Sequence, residues 1–148
     1  MSYVKIGVHA VWGTKNRFPF LQPGVMPLML DHIRTNAKIK GIFIDRLNGA
    51  SDHLHCLFYL NLDMTIMKAM QLIKGESSFW MNKQQLIKDH FEWADEYYAV
   101  SVSDSEMFRV RNYIDNQEEH HRKKTFAVEC DEFLARYGFA IMNNTSQG

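Results

Sequence analysis

Apolar and polar residues alternate from Tyr3 to Trp12, with Val4, Ile6, Val8, Ala10 and Trp12 on one side and Lys5, Gly7 and His9 on the other. A period of two predicts a strand. Thr14 to Gly24, with its basic residues, Pro and Gly, reads as a loop. Pro27 suits the first turn of a helix, where its missing N–H is not needed, and Gly41 suits the C-terminal cap, so a helix is predicted to about Lys40. Ile42 to Leu47 is a short strand, and Asn48-Gly49 is a tight-turn signal leading into an apolar strand within Asp52 to Leu60, which completes a hairpin.

Met64 to about Lys83 has the spacing of an amphipathic helix, with Met67, Met70, Ile73, Phe79 and Trp80 on a face read as core and Gly75 as a place where the helix can bend. A connector from Gln84 to Glu92 precedes a fourth strand, Trp93 to Val102. Ser103 to Glu106 has capping-box spacing. The helix it starts is predicted to reach about Arg122, with Met107, Val110 and Ile114 as the buried stripe and Tyr113 and Gln117 at its edge. Ala127 to Tyr137 is a last amphipathic segment ending at Gly138, and 143–148 reads as a disordered tail.

This order predicts an α+β fold, a ferredoxin-like antiparallel sheet (β-α-β-β-α-β) of the kind RNA-recognition domains share, with a C-terminal tyrosine helix. In such a sheet the first and third strands are central neighbours and the fourth lies at an edge. The 148 residues, 46% of them hydrophobic, are expected to form one domain spanning 1–148.

Charge changes the picture only through its distribution. The formal net charge is zero, but residues 1–50 carry seven basic side chains against two acidic ones, so the remainder is acidic. Within that part Arg109, Arg111, Arg122, Lys123 and Lys124 flank the Tyr113 helix, although a basic cluster is ordinarily just a solvated face. Cys56 and Cys130 form no CxxC and read as unbridged thiols in a reducing compartment. No apolar run has the length of a membrane span and no signal peptide is evident, so a soluble, cytoplasmic protein is expected.

Candidate chemistry concentrates in two places. On a strand, His53 and His55 project to the same face, with Cα atoms roughly 7 Å apart, a ready-made pair of nitrogen ligands. One turn apart on a helix, Tyr113 and Gln117 have Cβ atoms about 5–6 Å apart. In a ferredoxin-like sheet His9 would lie beside the histidine pair. Each residue also has a bland reading: histidines bonded to neighbouring carbonyls, a half-buried helix tyrosine, a surface glutamine.

Asp-His-Leu-His-Cys-Leu-Phe at 52–58 resembles the histidine-hydrophobic-histidine (HUH) motif. Arg111 to His121, Arg-Asn-Tyr-Ile-Asp-Asn-Gln-Glu-Glu-His-His, resembles the tyrosine helix of the single-tyrosine transposases of the smallest bacterial insertion sequences. The likeness extends to His9–Lys15, Ile73–Ser78 and Tyr97–Ser103, and departs at Gly49-Ala50-Ser51, where many relatives carry a Met-Pro-type turn. The resemblance implies a DNA transposase that cuts and rejoins single-stranded DNA, with Tyr113 as nucleophile, a 5′-phosphotyrosine intermediate and a free 3′-OH. It also implies Mg²⁺ or Mn²⁺ held by His53, His55 and Gln117, hairpin recognition at the ends of a mobile element, and a homodimer with composite active sites in trans.

Elementary chemistry agrees with that assignment. A phenol with a pKa near 10 needs a cation or base to become a nucleophile, and a divalent ion polarises a phosphate. The trans arrangement also answers a difficulty: a helix leaving the edge strand need not fold back over its own His53 and His55. His120 and His121 are read as solvated and are not assigned to the metal. Two other readings stay open at this point. One is a non-catalytic RNA-recognition-like binding module using exposed aromatics such as Tyr3 and Tyr59; the other is a metal-dependent phosphodiesterase that uses water as nucleophile.

Overall fold

The computed structural model describes residues 2–117 and 125–137. The chain divides into two compact units, Met1–Gln117 and Glu118–Gly148. The first contains strands β1 (Gly7–Gly13), β2 (Phe43–Ala50), β3 (His53–Tyr59) and β4 (Tyr98–Val102), with helices α1 (Met26–Ile39), α2 (Ile66–Gln84) and α3 (Met107–Asp115). In the second, α4 spans Phe126–Tyr137, and its first turn is capped where Val128 N–H donates to Thr125 Oγ1 at 3.3 Å. The helix predicted to run to about Arg122 instead ends at Asp115 with Asn116 as its cap; Arg122, His120 and His121, Gly138 and the 143–148 tail lie outside the described residues.

The four strands form one antiparallel sheet in the order β2-β3-β1-β4. This is the expected ferredoxin-like order, with β1 and β3 as central neighbours and β4 at an edge. Alternation decides which face each residue serves. Val8, Ala10 and Trp12 of β1 and Leu54, Cys56 and Phe58 of β3 pack with Met29 and Ile33 of α1 and Met70 and Ile73 of α2 to form the main core. The opposite face carries His9, His53, His55 and Leu57, and there α3 docks through Met107 and Ile114.

Several local expectations are corrected. The chain from 2 to 6 is not strand, and Tyr3, Val4 and Ile6 are exposed. Asn48-Gly49 is not the hairpin turn: β2 continues to Ala50 and the chain turns at Ser51-Asp52. Gly49 is needed for closeness instead, because a Cβ there would meet the His53 carbonyl oxygen and Leu54 Cα. The helix α2 runs unbroken through Gly75, and Met67 and Phe79 face solvent while Ala69, Ser77 and Met81 join its buried side. The capping box does not form. Ser103 bonds Ser105 through its hydroxyl, and a 3-10 turn over Asp104–Glu106 leads into α3.

The segment before β4 is fastened to α2 by side chains. Lys74 donates to the carbonyls of Ala94, Asp95 and Glu96 at 2.8, 3.1 and 3.3 Å, and burial lowers its pKa. The Trp93 indole donates to Ser77 Oγ at 2.9 Å. Ile73–Ser78 and the segment around Tyr97 are thus mated parts of one clasp that sets β4 against β1.

Candidate active site

The site begins at the Ser51-Asp52 turn. Thr14, just past the end of β1, donates its backbone N–H to the Asp52 carbonyl at 2.9 Å, while its hydroxyl donates to the Phe18 carbonyl at 2.7 Å with the Asp52 carbonyl 3.2 Å away. That grip fixes Asp52, whose Oδ1 lies 2.8 Å from Nδ1 of His53. Two residues on, His55 Nδ1 lies 2.9 Å from Nε2 of His9. All three histidines are buried, and a ring nitrogen of His53 and one of His55 lie within 4.8 Å of each other.

The tyrosine helix closes over this face in the same chain. Ile114 is fully buried, in a small cluster with Leu57, Val102 and Met107 that Val110, Tyr59 and Tyr113 border. The β2 strand supplies the polar fasteners. A register shift between Ile44 and Arg46 inserts Asp45 as an extra residue, and bulges of this kind re-aim a side chain. Asp45 accepts two hydrogen bonds from Arg111 of α3, both 2.8 Å. Those bonds hold its carboxyl below the ordinary value, against the upward push of its burial. Asn48, on the same strand, donates to the Ile114 carbonyl at 3.0 Å and so satisfies an end of the helix.

So held, α3 brings Tyr113 to the histidines, and the chain just past its Asn116 cap brings Gln117. The Tyr113 ring lies 5.5 Å from the His55 ring and 6.4 Å from the His9 ring, edge-on to both. Gln117 is buried, donates from its amide nitrogen to the Tyr113 carbonyl at 3.3 Å, and turns its amide oxygen to His53 Nε2 at 3.2 Å. The expectation that this helix need not fold over its own histidines is therefore corrected. The short 3-10 turn after β4 reverses the chain, and the apolar cluster then draws α3 across β2 and β3.

The donor set fits a divalent cation. His53 faces an acceptor from each ring nitrogen, the Asp52 carboxylate at Nδ1 and the Gln117 amide oxygen at Nε2. A neutral imidazole has only one N–H, so it can satisfy one of them. With Nδ1–H given to Asp52, His53 Nε2 and the Gln117 amide oxygen would be left to hold a cation, through the imidazole lone pair and the carbonyl oxygen. Adjacent ligands of an octahedral ion at 2.0–2.1 Å would be about 2.8–3.0 Å apart, a few tenths of an ångström under the 3.2 Å between His53 Nε2 and Gln117 Oε1.

All four residues singled out from the sequence thus meet on one face of one unit. The fasteners were missed. Asp52 was visible beside His53 without a role, Asn48 was read as a turn residue, and the Asp45 bulge leaves no mark in the hydrophobic pattern.

A family model described as "Transposase IS200 like" matches residues 2–117. The chain belongs to the IS200-like transposase family. Among solved structures, this transposase is similar to a candidate transposase from Deinococcus radiodurans R1, 26% identical, with a TM-score of 0.62 over 79% of this chain and 95% of the other. It shares its fold with a REP-associated tyrosine transposase bound to a REP hairpin, 16% identical, with a TM-score of 0.62 over 82% of this chain and 72% of that one. No curated protein matches it significantly. Among the described residues of the transposase, no helix is long and apolar enough to cross a membrane.

Proposed function

We propose that this transposase cuts and rejoins single-stranded DNA with Tyr113 as nucleophile and His53, His55 and Gln117 as ligands of a Mg²⁺ or Mn²⁺ ion. The observation that carries the reading is the meeting of Tyr113, on a helix fastened to the sheet, with His55 at 5.5 Å between ring centroids, and of Gln117, two residues past the end of that helix, with His53 at 3.2 Å. When bound, the ion supplies Lewis-acid polarisation of the scissile phosphate. Tyr113, edge-on to two imidazoles, is restricted in orientation by packing and so directs its hydroxyl without a large entropic cost on each encounter. Attack forms a bond from the phenol oxygen to phosphorus and breaks the bond to the 3′-oxygen. The phenol loses a proton, the departing 3′-oxygen gains one, and the strand's 5′ end stays on Tyr113 as a phosphotyrosine. Reversal of that step on another 3′-OH rejoins DNA without ATP.

The DNA partner is proposed to carry a hairpin, as the REP hairpin does in the structural relative. A homodimer with trans sites is the second reading. It is favoured by the small apolar cluster that docks α3, a surface the α3 of another copy could occupy by exchange. Mixed dimers of Tyr113→Phe and His53→Ala/His55→Ala subunits separate the two. Cleavage recovers with sites in trans and stays absent where each chain completes its own site, the outcome expected from the docking described here.

The function itself is tested with labelled single-stranded hairpin DNA and Mn²⁺. A denaturation-resistant adduct formed by wild type and lost in Tyr113→Phe supports it. Cleavage that persists in Tyr113→Phe without adduct points to a water-using phosphodiesterase, and binding without cleavage points to a non-catalytic module.

A further inference from the structure

His9 is buried within the central strand β1, and a buried imidazole is expected to be hydrogen-bonded. Its partner is what gives it a role. Two residues along from the Val11↔His55 pair, on the same face, His9 places Nε2 2.9 Å from Nδ1 of His55. On the neighbouring ligand, Asp52 stands in the same relation to Nδ1 of His53 at 2.8 Å. Both histidines of the pair thus have Nδ1 met by a neighbouring side chain, which leaves Nε2 in each as the nitrogen that could coordinate.

Hydrogen bonding between two imidazoles is directional. One nitrogen must carry the proton and the other the lone pair. A histidine that coordinates through Nε2 carries its proton on Nδ1, so here His55 is the donor and His9 the acceptor. We propose that His9 is the positioning residue of His55: its Nε2 lone pair accepts the His55 Nδ1–H, fixes the tautomer with the lone pair on Nε2, and sets the ring angle. His9 then plays for His55 the part the Asp52 carboxylate plays for His53, and its ring lies edge-on to that of Tyr113 at 6.4 Å. Outer groups of this type typically change metal affinity 10–100-fold when removed. The inference deepens the metal-site reading proposed above and rests on it for its function, while the tautomer itself is a property of the metal-free protein.

The test has two arms. In metal-free protein labelled with ¹⁵N-histidine, at about pH 8, where an unperturbed imidazole is neutral, long-range ¹H–¹⁵N spectra report which nitrogen of His55 is protonated. The expected result is Nδ1–H on His55 and a non-protonated Nε2 on His9. Nε2–H on His55 overturns the proposal, whatever the protein's activity. The second arm is Mn²⁺ titration by calorimetry on His9→Phe, which keeps ring bulk without an acceptor, and His9→Gln, which returns an amide oxygen near the Nε2 position. Affinity is expected to fall at least about tenfold in His9→Phe and to recover to within a few-fold of wild type in His9→Gln. Wild-type affinity in folded His9→Phe overturns it, as does an equal loss in both folded variants. If wild type takes up no Mn²⁺, the metal reading fails while the His55 tautomer is still decided by the spectra.

Discussion

Replacing Ile114 with Ala is expected to undock the tyrosine helix without unfolding the sheet. The side chain is fully buried, and among the described residues its cluster consists of Leu57, Val102 and Met107 with Val110, Tyr59 and Tyr113 at its border. Ile→Ala in a core costs about 2–5 kcal/mol. The main core lies on the other face of the sheet and loses nothing, so the cost falls on α3. With a factor of ten for every 1.4 kcal/mol, the opening equilibrium of α3 shifts by roughly 30-fold to several thousand-fold. The hydrogen bond from Asn48 to the Ile114 carbonyl, worth about 0.5–1.5 kcal/mol, cannot offset that. In hydrogen exchange, amides of α3 should lose protection by that factor while those of β1 and β3 stay near wild type. DNA cleavage should fall with the docked fraction, and Ile114→Val, costing about 0.5–1.5 kcal/mol, should lie between. Unchanged α3 protection in Ile114→Ala, or equal loss across α3 and the central strands, would refute the reasoning.

His53→Ala and His55→Ala should each weaken Mn²⁺ binding by calorimetry more than Gln117→Ala does, since an amide oxygen is a poorer ligand than imidazole; an unchanged affinity in the double histidine variant excludes both as ligands. The Asp45 carboxyl is held below its ordinary value of 3.8, so its contribution to stability is fully present above that pH and lost as pH falls through the lower folded value. Asp45→Asn should loosen α3 at neutral pH and flatten the acid limb of a stability-versus-pH curve below 3.8, measured by denaturant melts. Gly49→Ala should distort the His53 end of β3, because the new Cβ meets backbone there; loss of Mn²⁺ affinity in a variant that still melts cooperatively is the expected outcome. Cys56 is buried in the main core, which pushes its thiol up from the ordinary value, so it should resist a thiol reagent in folded protein and react after denaturation.

The legible parts of this fold were those written in local pattern. Alternation in β1 and β3, Pro27 and Gly41 around α1, and the Met107, Val110, Ile114 stripe each reflect a side chain's nearest surroundings. Four site residues were legible for a different reason. A strand's period of two and a helix's turn of about four residues place His53 with His55 and Tyr113 with Gln117 before any tertiary contact is known. What joins the two pairs is long-range. Asn48 reaches Ile114 and Asp45 reaches Arg111 across 66 residues each, and nothing local to those positions signals a partner. Asn48-Gly49 misled because its turn chemistry is real, while here the chain uses the glycine for close approach to Leu54 and the asparagine as a tether. Met67 and Phe79 misled because hydrophobicity marks a helix face only statistically, and α2 meets α1 and the sheet along Met70, Ile73 and Ser77.

Tyr113 as the covalent nucleophile is tested most directly by peptide mass spectrometry. Wild-type protein is incubated with single-stranded DNA hairpins carrying randomised flanks and Mn²⁺, then digested with nuclease and protease. The account predicts a nucleotide joined through its 5′-phosphate to Tyr113 and to no other tyrosine. Cleaved DNA with an unmodified Tyr113, or an adduct on Tyr97 or Tyr98 instead, would contradict it.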